Sequence, residues 1–451
     1  MRGRFGLEKA KSRKLNISFE SQIAEHDDEQ AKPKQHGAGG DKGGPQTKGK
    51  LWEFIAIASI PLVLVLGNSM LVPILPDMQR ELHISDFKSS LVITLFSVTA
   101  GVFIPVVGYL SDRLGRKAII IPSLIVYGAA GVLAGFGAVW GSYSVVIWAR
   151  ALQGLGAAGT APIAMALVGD LYNGATESKA LGLTEASNGF GKVVSPILGA
   201  ALALIVWYAA FFAFPLFCIL SLLAVIFLIK EPKDKSNRKQ PIGEYLHALR
   251  RIFKGKGRWL VTSFFAGSLG LFTLFGILFY LSEILEEKPY KLDGVVKGLV
   301  LAIPLAGLVI TSYTTGSVIK KNGTLMRWLM NIGLTLSTVS LGLTLVWNKE
   351  HLIVFMTLIT LSSVGTGLLL PCLNTMITGS VDKSQRGMIT SIYNSLRFLG
   401  VAAGPPLIGF LMEKNENIVF IMLSSLAAIA LALIFFLVRP EPNIARKPQK
   451  A

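Results

Sequence analysis

From Leu51 onward the chain runs in apolar blocks closed by short charged or turn-forming breaks. Each block is long enough to cross a ~30 Å hydrocarbon core as a helix. Twelve are predicted, over about 52–76, 87–110, 118–138, 141–169, 180–206 and 209–229, then 259–282, 294–318, 325–346, 352–379, 387–411 and 417–438. One long polar stretch, "KEPKDKSNRKQPIGEYLHALRRIFKGKGR", divides them six and six. The pattern predicts an all-α membrane protein with an N-terminal six-helix bundle (51–230), a cytoplasmic linker (231–258), a C-terminal bundle (259–440) and a short tail (441–451). Residues 1–50 are rich in Gly, Lys, Gln and Pro with little to bury, and are expected to be a disordered basic tail.

Composition agrees with the pattern. Of 451 residues, 52% are hydrophobic and only 16% charged, against roughly 25% in soluble chains. The net charge of +17 is unevenly placed. Segments on the side of both termini hold 34 Lys and Arg and the opposite segments 7, while Arg150, Lys192 and Arg397 lie within spans. That asymmetry predicts both termini in the cytoplasm and gives no support to nucleic-acid binding. Cys218 and Cys372 sit in separate apolar runs, so neither a disulfide nor a zinc site is expected. No cleavable signal peptide, Walker motif, nucleophile–base set or metal cluster is seen, so no enzyme, cofactor or metal is expected.

The halves echo each other. "GKVVSPILG" aligns with "GVAAGPPLIG" and pairs Pro196 with Pro405; the same offset pairs Gly156 with Gly365 and Pro162 with Pro371. "GYLSDRLGRK", starting at Gly108, has its partner in "GSVIKKNG", starting at Gly316. An even number of spans per half makes these parallel repeats with a cavity between them.

Three stretches carry a family resemblance: "GYLSDRLGRK" (108–117), "RALQGLGAAG" (150–159) and "GKVVSPILGA" (191–200). They resemble motifs of the major facilitator superfamily, and within it of the twelve-span drug:proton antiporters. The third departs from the usual pattern, reading Ser195-Pro196 and Gly199-Ala200, though Gly191, Pro196, Gly199, Gly404 and Pro405 keep the small or kinked positions of close helix packing. The resemblance implies a monomeric, bacterial, multi-pass cell-membrane protein. Its implied activity is proton-coupled export of small amphipathic compounds, of the multidrug efflux type, by alternating access. Proton-linked flipping of a lipid or glycolipid headgroup, or export of an anionic metabolite, fits the same residues.

Individual residues sharpen this. Gly108, Asp112, Arg113, Gly115, Arg116 and Lys117 would form a conformational latch, or anchor topology alone. Arg150 lies deep in span four, where an unpaired arginine costs at least ~2.5–3.5 kcal/mol, so it should face a partner or a wet cavity, with Gln153 one turn along. The resemblance assigns Arg150 to proton coupling. In span five, Glu185, Asn188, Lys192 and Ser195 share one face, and Asn394 and Arg397 sit on the counterpart face of span eleven. Span one adds Asn68, while Pro73 and Pro76 should break its far end. Glu185 leads as proton carrier, because desolvation favours its neutral form and a nearby cation its charged form; a fixed pair with Lys192 is the alternative. Asp77 and Glu53 follow it. Lys192 and Arg397 suit an anionic or amphiphilic cargo.

Overall fold

The computed structural model describes residues 46–172, 174–230, 242–319, 322–346, 351–379 and 383–438. The breaks in the apolar pattern become helix ends for local reasons. Helix α1 (Gln46–Ser69) gives way to a 3-10 turn at Val72–Ile74 and a short α2 (Leu75–Leu82). Pro76 lacks the N–H that would bond the Val72 carbonyl four residues back, so the α-helix cannot run straight through. Helix α3 (Asp86–Leu114) starts at Ser85, whose hydroxyl accepts the Lys88 N–H. It ends at Gly115, whose φ of +105° turns the chain directly into α4 (Arg116–Val139). Span four is interrupted at Gly159–Thr160 into α5 (Tyr143–Ala158) and α6 (Ala161–Leu171). Helices α7 (Gly174–Ala203) and α8 (Ala209–Leu228) complete the first half.

The second half comprises α9 (Ile242–Glu286), α10 (Gly294–Val318), α11 (Gly323–Leu343), α12 (Leu352–Gly379), α13 (Lys383–Met412) and α14 (Glu416–Leu437). Asn322 caps α11 by accepting the Leu325 N–H at 3.1 Å. Among the described residues, ten segments are long and apolar enough to cross a membrane. The remaining positions of the twelve belong to α7 and α11, whose apolar runs are diluted by Glu185 and Lys192 in one and by Arg327 and Asn331 in the other. Helix α1 begins inside the stretch read as a tail, and α9 begins inside the stretch read as a linker. Residues 1–45, 231–241 and 439–451 lie outside the described residues.

Residues 49–451 form one unit. The sequence repeat is realised as repeated packing. Gly156 of α5 lies against the Tyr127 backbone of α4, and its counterpart Gly365 of α12 lies against the Gly333 carbonyl of α11. Gly191 of α7 meets Leu62 and Val65 of α1, and its counterpart Gly400 of α13 meets Ser268 of α9. Small residues let these backbones approach where side chains would hold them apart. The halves join along two pairs. Helix α3 runs antiparallel to α13, with the Thr94 hydroxyl donating to the Ala402 carbonyl at 2.7 Å, the Ser395 hydroxyl donating to the Gly101 carbonyl, and Gly108 against Ser391. Helix α7 packs on α10, where Gly298 meets the Pro196 carbonyl.

Candidate functional site

Besides the polar α3–α4 turn, three polar regions lie along the bundle among the described residues: one inside the first half, one between the halves, and one at the face opposite the start of α1 (the far face). The first centres on Arg150. It is fully buried, and its guanidinium is shared among neutral acceptors: the Val92 carbonyl at 3.0 Å, the Gly67 carbonyl at 3.3 Å, Asn68 Oδ1 at 3.1 Å and the Gln153 side-chain oxygen. The Phe96 ring lies under it at 4.4 Å. The fixed fork of five donors matches these scattered acceptors. Arg150 and Gln153 are thus brought together, as their spacing of three suggested, and Asn68, expected to face the cavity between the halves, joins them in a closed pocket between α1, α3 and α5. Among the described residues no carboxylate pairs with Arg150. Its surroundings are those of a pin that fixes the broken end of span one. Gly67 is needed there, because a Cβ would collide with the Tyr127 hydroxyl.

The second region faces across the halves. Lys192 of α7 is half-buried and within electrostatic reach of both Arg397 of α13 and Glu185. Neither cation makes an ion pair within 4 Å among the described residues. Arg397 donates to Asn394 Oδ1 at 3.3 Å and lies 5.4 Å from the Tyr393 ring centre. Arg397 Nε and Asn188 Oδ1 are buried without a partner. Two cations and unpaired polar atoms in a membrane interior form a site with unfilled bonding capacity. Glu185, about two turns from Lys192, is exposed. Ser195 differs from its expected part in this stripe: it is fully buried and its hydroxyl donates to the Gly191 carbonyl within α7. Mid-helix serines commonly close onto the preceding turn in this way.

Around the α3–α4 turn, Arg116 pairs with Asp112 at 2.5 Å and with Asp170 at 2.8 Å, while Lys117 Nζ donates to the Ile226 and Ile229 carbonyls at 2.8 and 2.9 Å. Arg113 lies 5.1 Å from the Tyr109 ring centre. These contacts tie α3, α4, α6 and α8 within one half, and Gly108 supplies the approach to the other half at Ser391. Glu53 accepts from the Tyr172 hydroxyl at 2.5 Å, joining the start of span one to the end of span four. Of the packing residues, Gly191 and Gly199 seat α7 on span one, and Pro196 presents its carbonyl to Gly298; Gly404 seats α13 against Phe272 and Gly276 of α9, with Pro405 inside the same helix.

The third region closes the far face. Asp77 lies here, accepting from Arg80 three residues on. Arg80 also bonds Glu286 of α9 at 2.5 Å, Gln79 Nε2 donates to Glu283 at 2.9 Å, and the Ser282 hydroxyl donates to the Val72 carbonyl at 2.8 Å. Lys297 of α10 is 1% exposed and donates to Glu286 and to the Pro73 carbonyl, both at 2.7 Å. Sequence reasoning counted Lys297 among the loop cations and passed over Gln79, Asp170, Glu283 and Glu286. The i, i+3 spacing of Glu283 and Glu286 at the end of an apolar run was the available signal.

Two pseudo-symmetric helical halves, joined along two seams and holding half-buried charges between them, define a multi-pass membrane transporter. The Major Facilitator Superfamily model matches residues 57–329 and 287–451, and the chain belongs to that family. It is 43% identical over 397 residues to the bacillibactin exporter of Bacillus subtilis (strain 168), covering 87% of this chain and 98% of that protein. It is 26% identical over 371 residues to multidrug resistance protein 1 of the same organism, covering 82% of this chain and 92% of that protein. In fold it resembles a bacterial homolog of the human lysosomal transporter Spinster, solved inward-facing and unoccupied, with a TM-score of 0.70 at 15% identity over 86% of this chain and 97% of that one.

Proposed function

We propose that this protein is a proton-coupled exporter of a small anionic organic compound of the bacillibactin kind, working by alternating access with both termini in the cytoplasm. The observation that carries the reading is the pair Lys192 and Arg397, which face each other from α7 and α13 with no ion-pair partner among the described residues. Two such cations repel each other in a medium of low dielectric, and an anionic cargo relieves that repulsion. The long match to the bacillibactin exporter supports the same cargo class. Glu185, exposed beside Lys192, is the proton carrier in this reading: its charge steadies Lys192 in the empty site, and protonation releases the lysine to the cargo. The orientation rests on the excess of Lys and Arg on the side of the termini.

Everted membrane vesicles with an imposed proton gradient test this. Uptake of bacillibactin is expected, and Lys192→Gln or Arg397→Gln should raise its KM about 10- to 100-fold, the loss of one charge-assisted hydrogen bond of ~1.5–3 kcal/mol. Glu185→Gln should abolish the dependence on the gradient while bound cargo remains measurable. Gradient-driven uptake of cationic dyes, with anion uptake absent, would overturn the cargo assignment.

A further inference from the structure

The far-face closure is more than a packing seam, because its two carboxylates are held differently. Glu286 lies between two cations, with one oxygen on Arg80 and the other on Lys297. Glu283 has as its direct partner a neutral amide, Gln79 Nε2, which also donates to Ser89 at 2.8 Å. The charged groups acting on Glu283 are Asp86 at the start of α3, Lys297 on α10 and Glu286 on its own helix, with Arg80 and Asp77 of α2 bonded to that set. Two cations therefore serve four carboxylates here, and Glu286 takes both of them directly. Protonating Glu283 breaks no ion pair, because neither cation bonds it directly.

Its position decides what that proton does. Gln79–Glu283 joins α2 of the first half to α9 of the second, side by side with the Arg80–Glu286 and Ser282–Val72 contacts. We propose that Glu283 is a proton-sensing site of the far-face gate. External water delivers a proton to its carboxylate, the charge-assisted bond from Gln79 becomes a neutral one, and the two halves separate at this face. When the gate closes again the proton returns to the same water, so this proton sets when the gate opens and is not the one that drives export. The inference uses the orientation argued above and is independent of the cargo.

The bond weakens by about half, because charge-assisted hydrogen bonds are roughly twice as strong as neutral ones, and the open population should rise about five- to tenfold on acidification. The test is a pulsed electron–electron distance measurement on the full chain in lipid, with spin labels at Glu81→Cys and Glu287→Cys, both exposed positions on opposite halves. The native Cys218 and Cys372 are buried. The long-distance population should grow from mildly alkaline to mildly acid buffer. Glu283→Gln should hold it high at both, and Glu283→Asp should restore the dependence. Should Glu283→Gln fold poorly, Gln79→Met removes the same bond from the other half and should likewise open the face at both pH values. A distribution that ignores pH in the parent protein, or a Glu283→Gln variant that follows the parent, would overturn the proposal. The measurement needs neither cargo nor gradient. Failed bacillibactin transport with intact pH-dependent opening would therefore count against the export reading alone.

Discussion

Arg150→Lys separates a coupling role from a scaffolding one. The guanidinium makes four hydrogen bonds in directions set by α1, α3 and α5, and stacks on Phe96. An ammonium has three donors at one point, so at least one acceptor, and by geometry nearer two, is left unsatisfied in a closed pocket. Hydrogen bonds to a charged group contribute about 1.5–3 kcal/mol each, and the cation–π contact about 0.5–2. Losing two bonds and part of the stacking should destabilise the fold by at least about 3 kcal/mol. Thermal unfolding in detergent, with transport measured in parallel, reads the result. A large loss of stability with the proton-gradient dependence of the surviving activity unchanged is expected. A variant of parental stability that transports without the gradient would show that Arg150 titrates or steers protons, and would refute the reading of the cluster as a structural pin.

Other substitutions probe the seams. Gly298→Ala would put a Cβ 2.7 Å from the Pro196 carbonyl and 2.9 Å from Ala200. It should weaken the α7–α10 seam by about 1–3 kcal/mol, seen as a lower unfolding temperature and slowed transport together. Asp170→Asn removes one of the two carboxylates that Arg116 bonds among the described residues, and leaves its bond to the Ser111 hydroxyl. Both Asp112 and Asp170 are about half exposed, so the loss should stay below about 1 kcal/mol, and a double-mutant cycle with Asp112→Asn should show the two effects coupled through their shared arginine.

The spans, the division into halves and the repeat were legible because each depends on runs and spacings that are local in the chain. Membrane-spanning backbone must satisfy its own hydrogen bonds, so an apolar run of sufficient length already implies a helix. The break in span one followed from Pro73 and Pro76, and the Arg150–Gln153 contact from a spacing of three. The same reasoning stops at pairs distant in sequence. It could say that Arg150 needs relief from lipid, but not that backbone carbonyls at Gly67 and Val92 would supply it. Nor could it tell Lys297, which is sealed beneath Pro73 and Glu286, from the exposed loop lysine at Lys291. A charge gains or loses its function through the groups within a few ångströms of it. For Glu283, Glu286 and Lys297 those groups include partners more than 200 residues away, which only the docking of one half against the other brings near.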